Sequence, residues 1–189
     1  YFLEYMNTSL RLYEYKKKVW HISGWNYNLK INDIKLKDEN TFFVKNMNCW
    51  GWATWSDRWK KIITDPNFFI KRFNNKNIYD FDLSNSLNNW SQLIRNKKKK
   101  LNTWGVFWNA TIFYYRGVCL NPVKSLTKNI GFDGSGVNSL KQKIDKNKIS
   151  NVASFIYEKK IKENLNVKKA IISTMLTKKR NEKLNNYMN

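Results

Sequence analysis

A short glycine-rich stretch, NIGFDGSGVN at residues 129–138, holds the clearest candidates for chemistry in this chain. Three of the seven glycines fall within it, and between them lie one carboxylate, Asp133, and one hydroxyl, Ser135. Glycine lets the backbone approach a ligand closely and lets a loop hinge. The stretch is therefore interpreted either as a loop that closes over a ligand or as an ordinary surface turn.

Tryptophans form the second group of candidates. A stripe at helical spacing predicts one amphipathic helix with its apolar face in the core. The stripe consists of Trp52, Trp55, Trp59 and Ile62 or Ile63. Trp50 and Gly51 precede the stripe, so we expect them in a loop at the surface. An exposed indole face can stack on the apolar face of a sugar or on a nucleobase.

Several kinds of catalytic site are excluded by the motifs that the sequence lacks. It contains no G-x-S-x-G, P-loop, dinucleotide-binding or H-E-x-x-H motif. His21 is the single histidine, so a multi-histidine metal site is excluded, and its place in an apolar run predicts a satisfied histidine in the core or at a strand edge. Cys49 and Cys119 are expected to be reduced and buried.

The charge balance has two interpretations. The chain carries 35 Lys and Arg against 14 Asp and Glu, which gives a formal net charge of +21. A field of this sign attracts polyanions such as nucleic acid, anionic lipid or phosphorylated substrates. Abundant lysine, asparagine and isoleucine are also what AT-rich DNA encodes, so mutational bias explains much of the excess without any partner.

Strands that alternate with helices predict an α/β architecture. Short apolar runs predict three strands, at Val19–Ser23, at Thr41–Val44 and at VCLNP, where Pro122 ends the run. Helical spacing predicts helices at the positions 1–15, within 52–63, within 65–73, within 83–100, at 104–115 with Gly117 as its C-cap, and around 167–175. No apolar run approaches the roughly 18 residues that a membrane helix requires.

Five motifs together resemble a known group of enzymes. They are YFLEYMN, ISGWN, FFVKNMNCWGWATWSDRW, TWGVFWN and VCLNPVKSLTKNIGFDGSG. In this order they resemble bacterial sugar transferases of the inverting glycosyltransferase family 2, which build surface polysaccharides and lipopolysaccharide. The chain is more distantly similar to the Golgi N-acetylglucosaminyltransferase that initiates complex N-glycans. The resemblance covers about residues 1–138, with a weaker similarity in the tail helix.

The resemblance implies the C-terminal half of a GT-A fold, with a short mixed sheet flanked by helices and a basic helical tail. Residues 1–139 would form the acceptor-side half of the catalytic domain, and residues 140–189 a lysine-rich helical extension. In the family, an acidic metal motif, often Glu-Asp-Asp, precedes a segment resembling YFLEYMN. Mn²⁺ or Mg²⁺ is therefore expected only together with an upstream nucleotide-binding half, with no metal ligand in this chain. The chain alone is not expected to transfer sugar.

The resemblance also implies roles for particular residues. Trp50, Gly51 and Trp52 resemble the loop and helix start that border the donor sugar and the acceptor. Trp104 matches a tryptophan beside which the Golgi relatives carry the acidic general base. Here Gly105 and Val106 follow it, so that base is absent from its expected place.

The glycine-rich stretch supplies the remaining candidates. It is similar to a family loop that orders over bound donor, so Gly134 and Ser135 are expected to contact substrate. An inverting transfer needs a carboxylate to deprotonate the acceptor hydroxyl. Asp133 is the candidate for that general base.

These inferences imply a nucleotide-sugar donor and a glycan or lipid-linked acceptor as ligands. The expected location is the cytoplasm, with the positive charge favouring the anionic surface of the inner membrane. Two alternatives remain open: a basic module that binds nucleic acid, and a peripheral membrane protein whose lysine-rich tail binds anionic lipid. Aromatic residues at core spacing, without the strand pattern of an RNA-recognition motif, make nucleic acid the less favoured partner.

Overall fold

One mixed sheet lies at the centre of the fold. The computed structural model describes residues 1–27, 29, 40–131, 149–151 and 154–187, and within them the sheet has four strands. These are β1 (Val19–Ser23), β2 (Thr41–Val44), β3 (Trp52–Ala53) and β4 (Val118–Pro122). The bounds of β1, β2 and β4 confirm the three strands predicted from the sequence.

The strand order is β2-β4-β1-β3, so the first and last long strands lie side by side. β1 and β4 are parallel, with Val19 opposite Val118 and Ile22 opposite Leu120. β2 pairs antiparallel with β4, and β3 pairs antiparallel with β1. Every residue of β1, β2 and β4 is buried, as expected for short apolar strands covered on both faces.

Helices flank this sheet. In the described part of the chain they are α1 (Phe2–Tyr13), α2 (Ser56–Trp59), α3 (Pro66–Ile70), α4 (Asn75–Phe81), α5 (Asn89–Lys97), α6 (Gly105–Tyr114) and α7 (Leu165–Tyr187). α1 confirms the helix predicted at 1–15, and α3, α6 and α7 lie where helices are predicted. The fold is therefore mixed α/β, with a small mixed sheet flanked by helices.

The tryptophan stripe does not form the single helix that its spacing predicts. Trp52 lies in β3 opposite Ser23, and the helix begins only at Ser56. The prediction is wrong because the edge of β1 offers unpaired backbone groups, and Trp52–Ala53 satisfies them by forming strand hydrogen bonds. The two rings nevertheless pack together, Trp52 from β3 and Trp59 from α2, with their centroids 5.5 Å apart.

The helix predicted within residues 83–100 begins later than expected, and α4 was not predicted. Leu83, Ser84 and Asn85 have positive φ angles of 45°, 56° and 61°, which breaks any helix at this point. α5 therefore starts at Asn89. α4 is started by a capping box in which Asn74 and Asn77 exchange side-chain to backbone hydrogen bonds.

Gly117 is not the left-handed residue that ends α6. Arg116 takes that conformation, with φ of 56°, and the N–H of Gly117 then donates to the carbonyl of Ile112 at 2.9 Å. Gly117 is required for a different reason. A Cβ at this position would lie 2.5 Å from Cδ1 of Trp20, so only glycine lets β4 start against that ring.

The chain beyond residue 150 packs onto the same core. Phe155 and Tyr157 contact the buried ring of Tyr5 in α1. Val167 and Ile171 in α7 are buried in one cluster with residues of β2. The boundary expected at residues 139 and 140 lies outside the described residues. No described helix is long and apolar enough to span a membrane.

Replacing Gly117 with alanine is expected to destabilise the fold. The added methyl group would collide with a buried tryptophan ring, and overpacking of this kind costs about 1–3 kcal/mol. The free energy of unfolding from urea denaturation measures the loss. Gly105→Ala is the matched control, because its Cβ meets only the mobile end of Met47 at 3.3 Å. An equal loss in both variants would contradict this account.

Candidate functional site

A cleft of about 310 Å³ opens where the loop after β2 meets the N-terminal end of α6. Its walls come from three parts of the chain that are distant in sequence. The lining residues are Met47, Asn48, Cys49, Trp50, Asn89, Gln92, Asn102, Thr103, Trp104, Gly105, Val106 and Asn109. Indole rings, amide groups and backbone thus dominate its surface.

Trp104 presents the largest aromatic surface at this cleft. Its side chain is 44% exposed although it immediately precedes α6. Its ring packs 5.2 Å from that of Trp52 and 5.9 Å from that of Trp59, centroid to centroid. Because Trp59 in turn contacts the fully buried Trp108, the exposed ring is supported from below by the core. A rigidly held aromatic face of this kind loses little conformational entropy when a ligand stacks on it.

Trp50 and Gly51 form a tight turn at the other wall. Gly51 has φ of +66°, and a Cβ there would lie 2.5 Å from Cγ2 of Thr127. The hydroxyl of Thr127 donates to the carbonyl of Trp50 at 2.9 Å, and the backbone N–H of Trp50 donates to the side-chain oxygen of Asn48 at 2.9 Å. Trp50 is half-buried, with its ring packed edge to face on Trp25. The turn thus fixes the position of the Trp50 indole.

His21 ties the cleft to the sheet. Its Nδ1 accepts from the indole N–H of Trp108 at 3.2 Å, so its Nε2 carries the hydrogen and donates to the carbonyl of Asn48 at 2.9 Å. The Trp52 ring stacks on the imidazole at 5.3 Å. Burial lowers the pKa of His21 to about 4, so the imidazole is neutral at physiological pH. The prediction of a satisfied core histidine is confirmed.

An amide network holds the floor of the cleft. Asn109 accepts from the backbone N–H of Met47 at 3.0 Å and donates to the side-chain oxygen of Asn46 at 2.9 Å. Asn89 donates to the same oxygen at 3.2 Å, and the amide nitrogen of Asn46 donates to the hydroxyl of Tyr27 at 3.1 Å. Sequence reasoning missed this network. The only signal was an asparagine inside the apolar helix GVFWNATIFY.

The structure brings some of the predicted site residues together. Trp50 and Trp104 both line the cleft, and Trp52 contacts Trp104 from below. Gly51 shapes the turn without lining the cleft. The other three, Asp133, Gly134 and Ser135, lie outside the described residues. Cys49 was expected to be buried but is exposed, because it lies in the loop that forms the rim.

The described lining of the cleft is uncharged although the chain carries a net charge of +21. None of its described lining residues is acidic or basic. The amides of Asn48, Gln92 and Asn102 can donate and accept hydrogen bonds, and the indoles offer apolar faces. This combination suits a neutral ligand with many hydroxyl groups. Across the described residues, no group of three His, Cys, Asp or Glu side chains could hold a metal ion.

No protein-family model, curated protein or solved structure matches this chain. The cleft itself, together with the motifs that form it, is therefore the basis for assigning a function.

The stability of the protein is expected to fall below about pH 6.5 because of His21. Above the ordinary histidine pKa of ~6.5, the imidazole is neutral in both the folded and the unfolded chain. As the pH falls towards the folded pKa of about 4, only the unfolded chain takes up the proton. We expect the free energy of unfolding to drop by about 2 kcal/mol between roughly pH 7 and pH 5.

Urea denaturation at the two pH values measures this drop. His21→Gln is the matched control, because glutamine keeps an N–H donor but does not titrate. Since the chain has a single histidine, this variant should lose most of the pH dependence. The same slope in both proteins would show that other groups cause it.

Proposed function

We propose that the chain is the acceptor-side half of an inverting glycosyltransferase of the GT-A type, and that the cleft binds the acceptor sugar. One observation carries the proposal. The motifs NCWGW and TWGVFWN, which resemble family motifs and are far apart in sequence, contribute Trp50 and Trp104 to the same cleft.

The chemistry of the cleft supports a sugar ligand. The apolar C–H face of a pyranose can lie on the supported indole of Trp104, while its hydroxyl groups bond to the amides around it. Pockets of this size hold small ligands through apolar walls and a few polar groups. The volume of about 310 Å³ gives room for one or two sugar rings.

The same features argue against single-stranded nucleic acid as the ligand of this cleft. Such sites combine stacking rings with a positively charged groove that follows the phosphate backbone. Here no lysine or arginine is among the described lining residues. We propose instead that the positive charge of the chain favours its association with an anionic surface.

In the proposed reaction the acceptor hydroxyl attacks the anomeric carbon of the donor. A carboxylate takes the hydroxyl proton as the new C–O bond forms, and the nucleoside diphosphate leaves with the electrons of the broken bond. Asp133 is the proposed base. Among the described residues, no group of three His, Cys, Asp or Glu side chains could hold a metal ion. We propose that residues upstream of Tyr1 hold Mn²⁺ or Mg²⁺.

The proposed partners follow from this reaction. They are a nucleotide-sugar donor and a glycan or lipid-linked acceptor of surface polysaccharide or lipopolysaccharide synthesis. We propose a cytoplasmic enzyme that works at the inner membrane, where the positive charge favours contact with anionic lipid.

Trp104→Ala is expected to weaken the binding of neutral sugars to this chain about tenfold, corresponding to ~1.4 kcal/mol. Saturation-transfer NMR with a panel of neutral oligosaccharides measures the affinity. Trp104→Phe should keep most of the affinity, because it retains an aromatic face. Tyr15→Ala is the control, since Tyr15 is an 81% exposed aromatic residue outside the cleft.

Two results would contradict the proposal of a sugar site. One is the absence of saturable sugar binding by the wild-type chain. The other is an affinity that Trp104→Ala and Tyr15→Ala change equally.

The catalytic part of the proposal needs the residues upstream of Tyr1. The gene should continue upstream in the same frame and encode a β/α half with an Asp/Glu cluster shortly before Tyr1. In that longer protein, Asp133→Asn should abolish turnover and leave donor binding intact. Unchanged turnover would remove Asp133 from the mechanism.

A further inference from the structure

A second cavity, of about 340 Å³, lies at the other end of α6. Residues from the end of β2, from α3 to α4, from the C-terminal end of α6 and from the start of α7 form its walls. The lining residues are Lys45, Arg72, Phe73, Asn77, Asp80, Phe113, Tyr114, Arg116, Glu163 and Lys168. It shares no described lining residue with the cleft lined by Trp50 and Trp104, which is called the tryptophan cleft below.

Positive charge dominates this cavity, with four cationic side chains and two carboxylates. Each carboxylate already has a partner. Glu163 pairs with Lys168 at 3.6 Å, and Asp80 pairs with Lys76 at 3.5 Å. The remaining cations, Lys45, Arg72 and Arg116, form no ion pair with any carboxylate that the structure describes. Cations that line one cavity without counterions repel one another, so an anion in this cavity would relieve that repulsion.

Arg72 is held in place for binding. Its guanidinium lies 3.8 Å from the centre of the Phe68 ring, and its Nη1 donates to the Phe68 carbonyl at 3.3 Å. A guanidinium has five N–H donors, so most of them are still available to a ligand. Because the group is already ordered, little further conformational entropy is lost on binding.

Arg116 occupies a position where glycine would be favoured. It takes the left-handed conformation at the end of α6, with φ of 56°, and this conformation is unfavourable for a long side chain. Arginine gives this turn no conformational advantage over glycine, although its charge interacts favourably with the C-terminal end of the helix dipole. A guanidinium in the wall of a cationic cavity adds a planar fork that matches an oxyanion.

We propose that this cavity binds a phosphoryl group, either as a phosphate ester or as free phosphate. Three cations without carboxylate partners suit a dianion better than a single carboxylate. The aromatic rings of Phe73 and Phe113 in its wall lower the local polarity and strengthen the attraction. The inference does not depend on the tryptophan cleft binding sugar.

The experiment is an NMR titration of the intact chain with glucose 6-phosphate, with inorganic phosphate and with glucose, at constant ionic strength. In the amide resonances of the cavity residues, saturable shifts are expected with the two phosphates but not with glucose, and tighter binding of the ester would identify an ester as the ligand. Arg116→Gly and Lys45→Met should each weaken this binding about tenfold. Arg95→Gln is the matched control, because it removes an exposed arginine of α5 outside the cavity.

The stability of the variants keeps the result interpretable. Arg116→Gly places glycine where it is favoured, so its thermal midpoint should be unchanged or higher than that of the wild type. Trp104→Ala should bind glucose 6-phosphate as the wild type does, which separates this site from the proposed sugar site. Non-saturating shifts in the resonances of the cavity residues, equal shifts of those resonances with glucose, or an equal loss in Arg95→Gln would overturn the proposal.

Discussion

The neutral, buried imidazole of His21 is the constraint on which the cleft depends. It joins β1 to α6 through Trp108, to the loop after β2 through the carbonyl of Asn48, and to β3 through the stacked ring of Trp52. Each of these three neighbours either lines the cleft or supports a residue that does. A protonated imidazole could not accept the indole hydrogen bond, so both the cleft and the fold require the neutral form of His21.

The two cavities at the ends of α6 differ in their chemistry. At its N-terminal end the described walls include indoles and amides but no charged side chain, and at its C-terminal end cations exceed carboxylates. Such a separation is informative in a chain with a net charge of +21, because an indiscriminate excess of lysine would place cations at both. Mutational bias can explain the number of lysines but not why none of them is among the described residues that line the cleft.

The fold could be predicted where a local pattern decided the structure. Val19–Ser23 and Val118–Pro122 are short apolar runs that end at breakers, and both strands have the predicted bounds. The prediction of a single helix for the stripe beginning at Trp52 was wrong, because the open edge of β1, which is distant in sequence, determines the conformation of Trp52. The helix over 83–100 started late because three consecutive positive φ angles leave no periodic signal.

The site was predictable only in part. Resemblance of motifs selected Trp50 and Trp104, and the structure places both on one cleft. The amide network of Asn46, Asn89 and Asn109 was not predicted, because asparagine is abundant in this chain and the hydrogen bonds of these residues link distant segments. Hydrogen bonds between residues distant in sequence produce no periodic pattern from which they could be predicted.

The most direct test of the central claim, that this cleft holds a sugar, is a search for intermolecular nuclear Overhauser effects. The measurement would use a neutral oligosaccharide bound to the labelled chain. The account predicts contacts between the C–H protons of the sugar and the indole protons of both Trp50 and Trp104. Contacts confined to aromatic residues outside the cleft would contradict it, as would the same indole contacts made only by a single-stranded oligonucleotide.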